Sequence, residues 1–230
     1  MSVFLSLLSE KKINIAIDGP AGAGKSTVAR LVAKQLKYVY IDTGAMYRAV
    51  TYYALMHGID HTHEREIEEA LSHIQLAFDP TEQGQQVYLN GENISENIRS
   101  REVTSKVSLY AQIASVRHYL GELQKELAIN KGIVMDGRDI GTYVLPDAEL
   151  KIFLTASVKV RALRRFNELT EQNYIPLAQL EAEIQSRDEL DQNREISPLI
   201  QAHDAILLDS SELTIDEVVD QIVNLSRTKM

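Results

Sequence analysis

Ile13-Asn14-Ile15-Ala16-Ile17-Asp18-Gly19-Pro20-Ala21-Gly22-Ala23-Gly24-Lys25-Ser26-Thr27 decides the fold. Its first part is an apolar run closed by Asp18, as expected of a parallel strand buried on both faces. Gly19 to Thr27 fits G-x-x-x-x-G-K-[ST], and Val28, Leu31, Val32 and Leu36 follow at helical spacing. A strand before and a helix after are the flanks this motif requires. Its glycines let the backbone wrap a phosphate, successive N–H groups point inward, and the helix N-terminus adds positive potential. Gly19, Pro20, Ala21, Gly22, Ala23, Gly24, Lys25, Ser26 and Thr27 are therefore expected to hold a nucleoside triphosphate. In that reading Lys25 bridges the β- and γ-phosphates and the Ser26 hydroxyl ligates Mg²⁺, a cation of oxygen ligands. Asp18 has two readings: orienting Mg²⁺ through water, or hydrogen-bonding the next turn.

Outward from this loop, apolar runs recur at Val39–Asp42, Ile133–Asp136, Ile152–Thr155 and Ala205–Asp209. Segments Lys25–Leu36, Ala45–His57, Val103–Asn130, Val158–Thr170, Leu177–Asn193 and Ile215–Leu225 space their apolar residues by three and four. The alternation predicts an α/β fold, a five-stranded parallel sheet wrapped by helices. One stretch breaks the rhythm. Leu76–Phe78 and Val87–Leu89 are strand-like, and Asn90-Gly91 is a two-residue hairpin signal leading into Asn93–Ser95. A small antiparallel insert is expected at about residues 60–100, with Pro80 to Gln86 as a turn-rich loop at its edge. The core then spans about residues 13–59 and 101–228 of a single domain.

The 230 residues carry 24 Lys+Arg against 33 Asp+Glu, a net charge of −9, so a general grip on nucleic-acid polymers is not expected. Cysteine is absent, which excludes disulfides, thiolate metal sites and cysteine nucleophiles. Ser2 to Leu8 is apolar but much shorter than the ~20 residues of a membrane span, and Lys11 and Lys12 follow it instead of preceding it. A cytoplasmic protein without membrane attachment is expected. No apolar heptad seam stands out, so a monomer is the default.

Three absences narrow the chemistry. Asn130-Lys131-Gly132-Ile133 lacks the Asp of N-K-x-D that pairs with guanine, Asp136 is followed by Gly137 instead of the Glu of an ATPase motor, and no water-activating residue is evident. Transfer to an acceptor is the alternative, and joining two polyanions needs guanidiniums beyond the loop lysine. The 13 arginines include Arg48, Arg117 and Arg138, then Arg161, Arg164 and Arg165, then Arg187 and Arg194. Arg161, Arg164 and Arg165 share one helical face, which reads either as a phosphate-facing set or as a solvated basic face. Arg187, Asp191 and Arg194 share another, where the alternative is a surface salt-bridge ladder. His57, His61 and His63 have metal-site spacing, but a polar loop explains them as well. Tyr47, Tyr52 and Tyr53 read as helix packing, and Tyr38 and Tyr40 as strand residues.

Asp42-Thr43-Gly44-Ala45-Met46-Tyr47-Arg48, Asp136-Gly137-Arg138-Asp139-Ile140-Gly141-Thr142 and Arg187-Asp188 through Asp191 to Asn193-Arg194, in this order after the glycine-rich loop, resemble the bacterial cytidylate kinase family over about residues 13–225. The resemblance implies ATP with Mg²⁺ as donor and CMP, with dCMP, as acceptor, giving CDP or dCDP. It implies that Arg48 and Arg138 hold the acceptor phosphate, bidentate work that suits guanidiniums. By the same resemblance Thr43 is expected near the acceptor, Ser108, Arg117 and Asp139 facing the cytosine ring, Arg187 and Asp191 on the ribose, and Arg194 bridging sugar and transferring phosphate. Lys25, Arg138, Arg161, Arg165 and Arg194 form the catalytic set, with the Arg161–Arg165 face as a lid over about residues 157–175. Ala114 stands where many members carry proline. The rival readings are a kinase for UMP or another small acceptor, and a regulatory ATPase or GTPase.

Overall fold

The computed structural model describes residues 11–81, 84–170 and 174–230. The apolar run Ser2 to Leu8 lies outside the described residues, as does part of the expected lid. Five parallel strands form one sheet in the order β2-β6-β1-β7-β8: β1 (Asn14–Asp18), β2 (Val39–Asp42), β6 (Ile133–Gly137), β7 (Leu150–Thr155) and β8 (Ile206–Asp209). Every residue of β1 and β6 is buried, which is why these runs show no alternation. Register places Asp18 opposite Gly137 and Asp42 opposite Asp136, so the carboxyl ends of three neighbouring strands meet on one rim. Ligands of open parallel sheets bind at that rim.

Helices cover both faces. α1 (Lys25–Leu36) and α8 (Ile215–Arg227) bury Val28, Val32, Val219 and Ile222 against Ile15 and Ile17 on one side. On the other, α2 (Thr43–Met56) and α5 (Ala114–Ala128) bury Met46, Val50, Val116 and Leu120 against Ala16, Ile41 and Met135. A third, small cluster joins α6 (Val158–Asn167) to α7 (Leu177–Asn193) through Ala162, Leu180 and Ile184. No helix among the described residues is long and apolar enough to cross a membrane.

Three local readings are corrected. The segment Val103–Asn130 is two helices, α4 (Arg101–Tyr110) and α5, broken at residues 111–113. The break leaves the Ala111 carbonyl free to accept from Arg117 Nη1 at 3.1 Å. Residues 80–86 are not a loop throughout, since β3 (Leu76–Thr81) and β4 (Gly84–Leu89) stay paired out to Thr81 opposite Gly84. A helix not foreseen, α3 (Glu64–Leu71), packs Ile67 and Leu71 into the larger core. The Asn90-Gly91 hairpin forms as expected between β4 and β5 (Glu92–Asn93), with φ of 50° and 87°.

Candidate active site

A cavity of about 700 Å³ opens along the sheet rim, with the loop after β1 at one end and α4 and α7 at the other. The loop sits tight on the sheet. A Cβ at Gly19 would lie 1.9 Å from the Leu154 carbonyl oxygen, and φ there is +144°, so only glycine fits. Lys25 is buried, and its Nζ donates to the Pro20 carbonyl at 2.8 Å. Burial, then the charge of Arg138, pushes its ammonium down to about 7. Ser26 Oγ donates to Asp136 Oδ2 at 2.8 Å, and Tyr40 Oη donates to the other oxygen at 2.9 Å. Burial, then the nearby Asp42, holds the Asp136 carboxyl up at about 6. Among the described residues no three His, Cys, Asp or Glu side chains converge as a metal cage. His61 and His63 instead face Asp60 and Glu66, and His57 stacks on Tyr53. One hydroxyl beside one carboxylate fits Mg²⁺, which keeps several waters and takes its remaining oxygens from phosphates.

Arginines dominate the far end. Arg48 donates to Asp42 Oδ2 at 2.9 Å, while Asp42 Oδ1 caps α2 by accepting from the Ala45 N–H at 2.8 Å. Arg138 Nε donates to Asp191 Oδ2 at 2.8 Å. Burial works against the Arg138 charge, but Asp191 outweighs it and raises its pKa. Arg187 lies one turn before Asp191 on the same face of α7, and its Nε is buried with no hydrogen-bond partner among the described residues. Burial, then repulsion from Arg138, with Arg48 and Arg165 adding to it, pulls Arg187 down to about 10. A guanidinium disfavoured in this way gains from an anion beside it.

Deeper lies a second constellation. Arg117, 2% exposed, sends Nη2 to Asp139 Oδ2 and lies 5.6 Å from the centre of the Tyr47 ring. Arg194 Nη2 stands 3.7 Å from the other Asp139 oxygen. Ser108 lines the cavity from α4, and Thr43, also in the wall, donates its hydroxyl to the Asp136 carbonyl at 2.7 Å. Tyr52 and Tyr53 pack on the core as read, while Tyr47 also lines the cavity.

The sequence-expected residues thus converge, with three corrections. Arg117 does not itself line the cavity: it is buried, and it meets the cavity wall through Asp139. Arg161 does not line the cavity. It is buried, donates from Nη1 to the Ala21 carbonyl at 2.9 Å and pairs with Asp188 Oδ2 at 2.6 Å. Arg164 reaches Ser210 O at 2.6 Å, and of the three only Arg164 and Arg165 border the cavity. Side chains lean toward a helix N-terminus, so Arg161, near the start of α6, meets the phosphate loop before it can reach open space. Asp18 matches neither of its readings. Its two oxygens accept from the Ile140 and Gly141 N–H groups at 2.8 and 2.7 Å, far along the chain. The sequence reading missed Tyr40, Asp42, Asp136 and Asp188 as members of the site. The strand-end placement of Asp42 and Asp136 was the available signal.

The fold and this cavity define a phosphate-loop kinase. The family model described as cytidylate kinase matches residues 15–228. A cytidylate kinase of Ligilactobacillus salivarius is 55% identical over 216 residues, covering 94% of this chain and 96% of its own length. A cytidylate kinase of Oceanobacillus iheyensis is 52% identical over 217 residues, 94% of each chain. Among solved structures, an uncharacterised protein of Eubacterium ventriosum shares the fold, with a TM-score of 0.52 at 11% identity over 95% of this chain and 99% of that one. The chain belongs to the cytidylate kinase family.

Proposed function

We propose that this chain transfers the γ-phosphoryl group of ATP to CMP and to dCMP, forming ADP with CDP or dCDP. The observation that carries the reading is Arg187: a half-buried guanidinium whose Nε is buried with no hydrogen-bond partner among the described residues, its charge pressed by neighbouring arginines, facing the same cavity as the phosphate loop. A hydrolase has no need of this second anion site. In the proposal Arg48 and Arg138 take the acceptor phosphate with Arg187 adding its charge, Arg187 and Asp191 also contact the sugar, Arg194 bridges sugar and transferring phosphate, and Arg165 meets the transferring group.

Cytosine is read by Asp139, which accepts from the exocyclic amine, beside Ser108 and Arg117. Uracil offers a carbonyl at that position and faces a carboxylate oxygen, an unpaired contact that selects against it. The attacking group is an acceptor phosphate oxygen, already largely ionised near neutral pH with a second pKa of about 6, so no general base is needed. It bonds to the γ-phosphorus as the bond to the bridging oxygen breaks, and the electron pair leaves with ADP. Lys25, Arg138 and Arg194 stabilise the charge spread over the phosphoryl oxygens. Ser26 and Asp136 would hold Mg²⁺, whose positive charge would offset the negative charge of the transferring phosphoryl group. Incubation with Mg-ATP and each nucleoside monophosphate in turn, with ADP and the acceptor diphosphate both measured, tests the reading. Selective CDP formation is expected; ADP release without any acceptor overturns it.

A further inference from the structure

Residues 140–144 form a helical turn whose N-cap is Asp139, the residue that this proposal makes the reader of cytosine. An aspartate at an N-cap ordinarily turns its carboxylate onto the first free N–H groups of its own helix. Asp139 does not, since its side chain caps nothing in that turn and is committed to Arg117 and Arg194. The free N–H groups of Ile140 and Gly141 are satisfied by Asp18, at the end of β1, at 2.8 and 2.7 Å. The fit is close. A Cβ added at Gly141 would stand 3.3 Å from Asp18 Oδ2 and 3.1 Å from the buried Lys151 side chain, so a larger residue there would force its neighbours to shift.

We infer that Asp18 is a positioning residue: by capping the 140–144 turn in place of Asp139, it leaves the Asp139 carboxylate to be held by Arg117 and Arg194 in the cavity wall, where it faces the acceptor base. The geometry supports the substitution of roles in both directions. Were Asp18 unable to accept, two buried N–H groups would lack partners, and the Gly141 N–H, at the second position of the turn, is one that an N-cap carboxylate ordinarily takes. Asp139 would then turn inward, release Arg117, and cease to discriminate an amine from a carbonyl. The effect belongs to base selection, not to the donor, although Asp18 is the immediate neighbour of the phosphate loop.

This inference rests on Asp139 as the base reader, and the experiment separates the two. The kcat/KM ratio for CMP over UMP is measured in the parent, in Asp18→Asn, in Asp139→Asn and in the double variant, with KM for ATP in each. The expected result is a fall of at least about tenfold in the ratio for Asp18→Asn, ATP KM within about threefold of the parent, and a double variant no less selective than Asp139→Asn alone. A ratio unchanged in Asp18→Asn but lost in Asp139→Asn overturns the role of Asp18 and keeps the base reader. A ratio unchanged in Asp139→Asn removes the base reader, and the inference with it. Should Asp18→Asn not fold, Asp18→Ser, which retains one acceptor, is read in the same way. Amide exchange in the parent adds an independent measure: Ile140 and Gly141 are expected to be as protected as the amides of β1, and rapid exchange at both overturns the capping.

Discussion

Ser26 Oγ lies 2.8 Å from Asp136 Oδ2, joining the first turn of α1 to the end of β6 across 110 residues of chain. The bond fixes the hydroxyl that the proposed mechanism sets toward the donor phosphates. Asp136→Asn keeps the shape but removes the charge, and kcat is expected to fall by roughly two orders of magnitude with CMP and dCMP alike. Steady-state rates at saturating Mg-ATP check this; a loss below tenfold would remove Asp136 from the catalytic apparatus.

Arg187 should be the arginine whose loss is felt most by the acceptor. Arg187→Ala is expected to raise KM for CMP about ten- to a hundredfold, the worth of a charge-assisted hydrogen bond. KM for ATP should change little, and equal increases in both constants would contradict the assignment.

Arg161 is expected to matter for folding more than for turnover. Arg161→Ala strands the buried Asp188 carboxylate and frees the Ala21 carbonyl, a loss of about 3–5 kcal/mol. Adding Asp188→Asn should recover part of it. Urea unfolding of the single and double variants decides the matter, and a double variant less stable than the single one would refute the pairing.

Ala114 offers a stabilising change. It is the first residue of α5, outside the ladder of helical hydrogen bonds, and Ile113 before it has φ −71° and ψ 126°, the conformation proline imposes on its predecessor. Ala114→Pro should raise unfolding free energy by about 0.4–1 kcal/mol without altering kcat. A lowered melting temperature would show that the geometry does not admit the ring.

Asp18 gives stability a pH dependence. Burial, opposed by the Gly141 and Ile140 N–H groups, holds its carboxyl at about 6 against an ordinary value of 3.8. The folded state thus binds this proton more tightly than the unfolded state does. Its contribution is full below pH 4 and is lost as the pH rises to 6, a change on the order of 3 kcal/mol. Asp18→Asn lacks this dependence, so its stability relative to the parent should rise across that interval. Denaturant midpoints at pH 4, 5 and 6.5 measure it, and a constant difference would count against the raised value.

What could be read from sequence was what is local. The phosphate loop, its flanking strand and helix, and the Asn90-Gly91 turn are each specified within a dozen residues, and the continuous apolar runs of β1 and β6 announce burial on both faces. The break between α4 and α5 was not legible, because nothing at residues 111–113 forbids a helix; the Ala111 carbonyl is instead served by a guanidinium from the following helix. Spacing put Arg161, Arg164 and Arg165 on one face but could not name their neighbours, and the three part toward the loop, Ser210 and the cavity. The carboxylates went unread for the same reason. Asp136 and Asp188 stand in the quoted motifs, but their partners, Ser26, Tyr40 and Arg161, come from distant elements that spacing does not name.

α7 carries Arg187 and Asp191 toward the acceptor end, while Asp188, between them, holds Arg161 against the carbonyl of Ala21 in the phosphate loop. Consecutive turns of one rod are therefore fastened to both ends of the cavity. A tilt of that rod cannot adjust one end and spare the other, so in the proposed reaction the two substrates would be gripped by what is mechanically a single part.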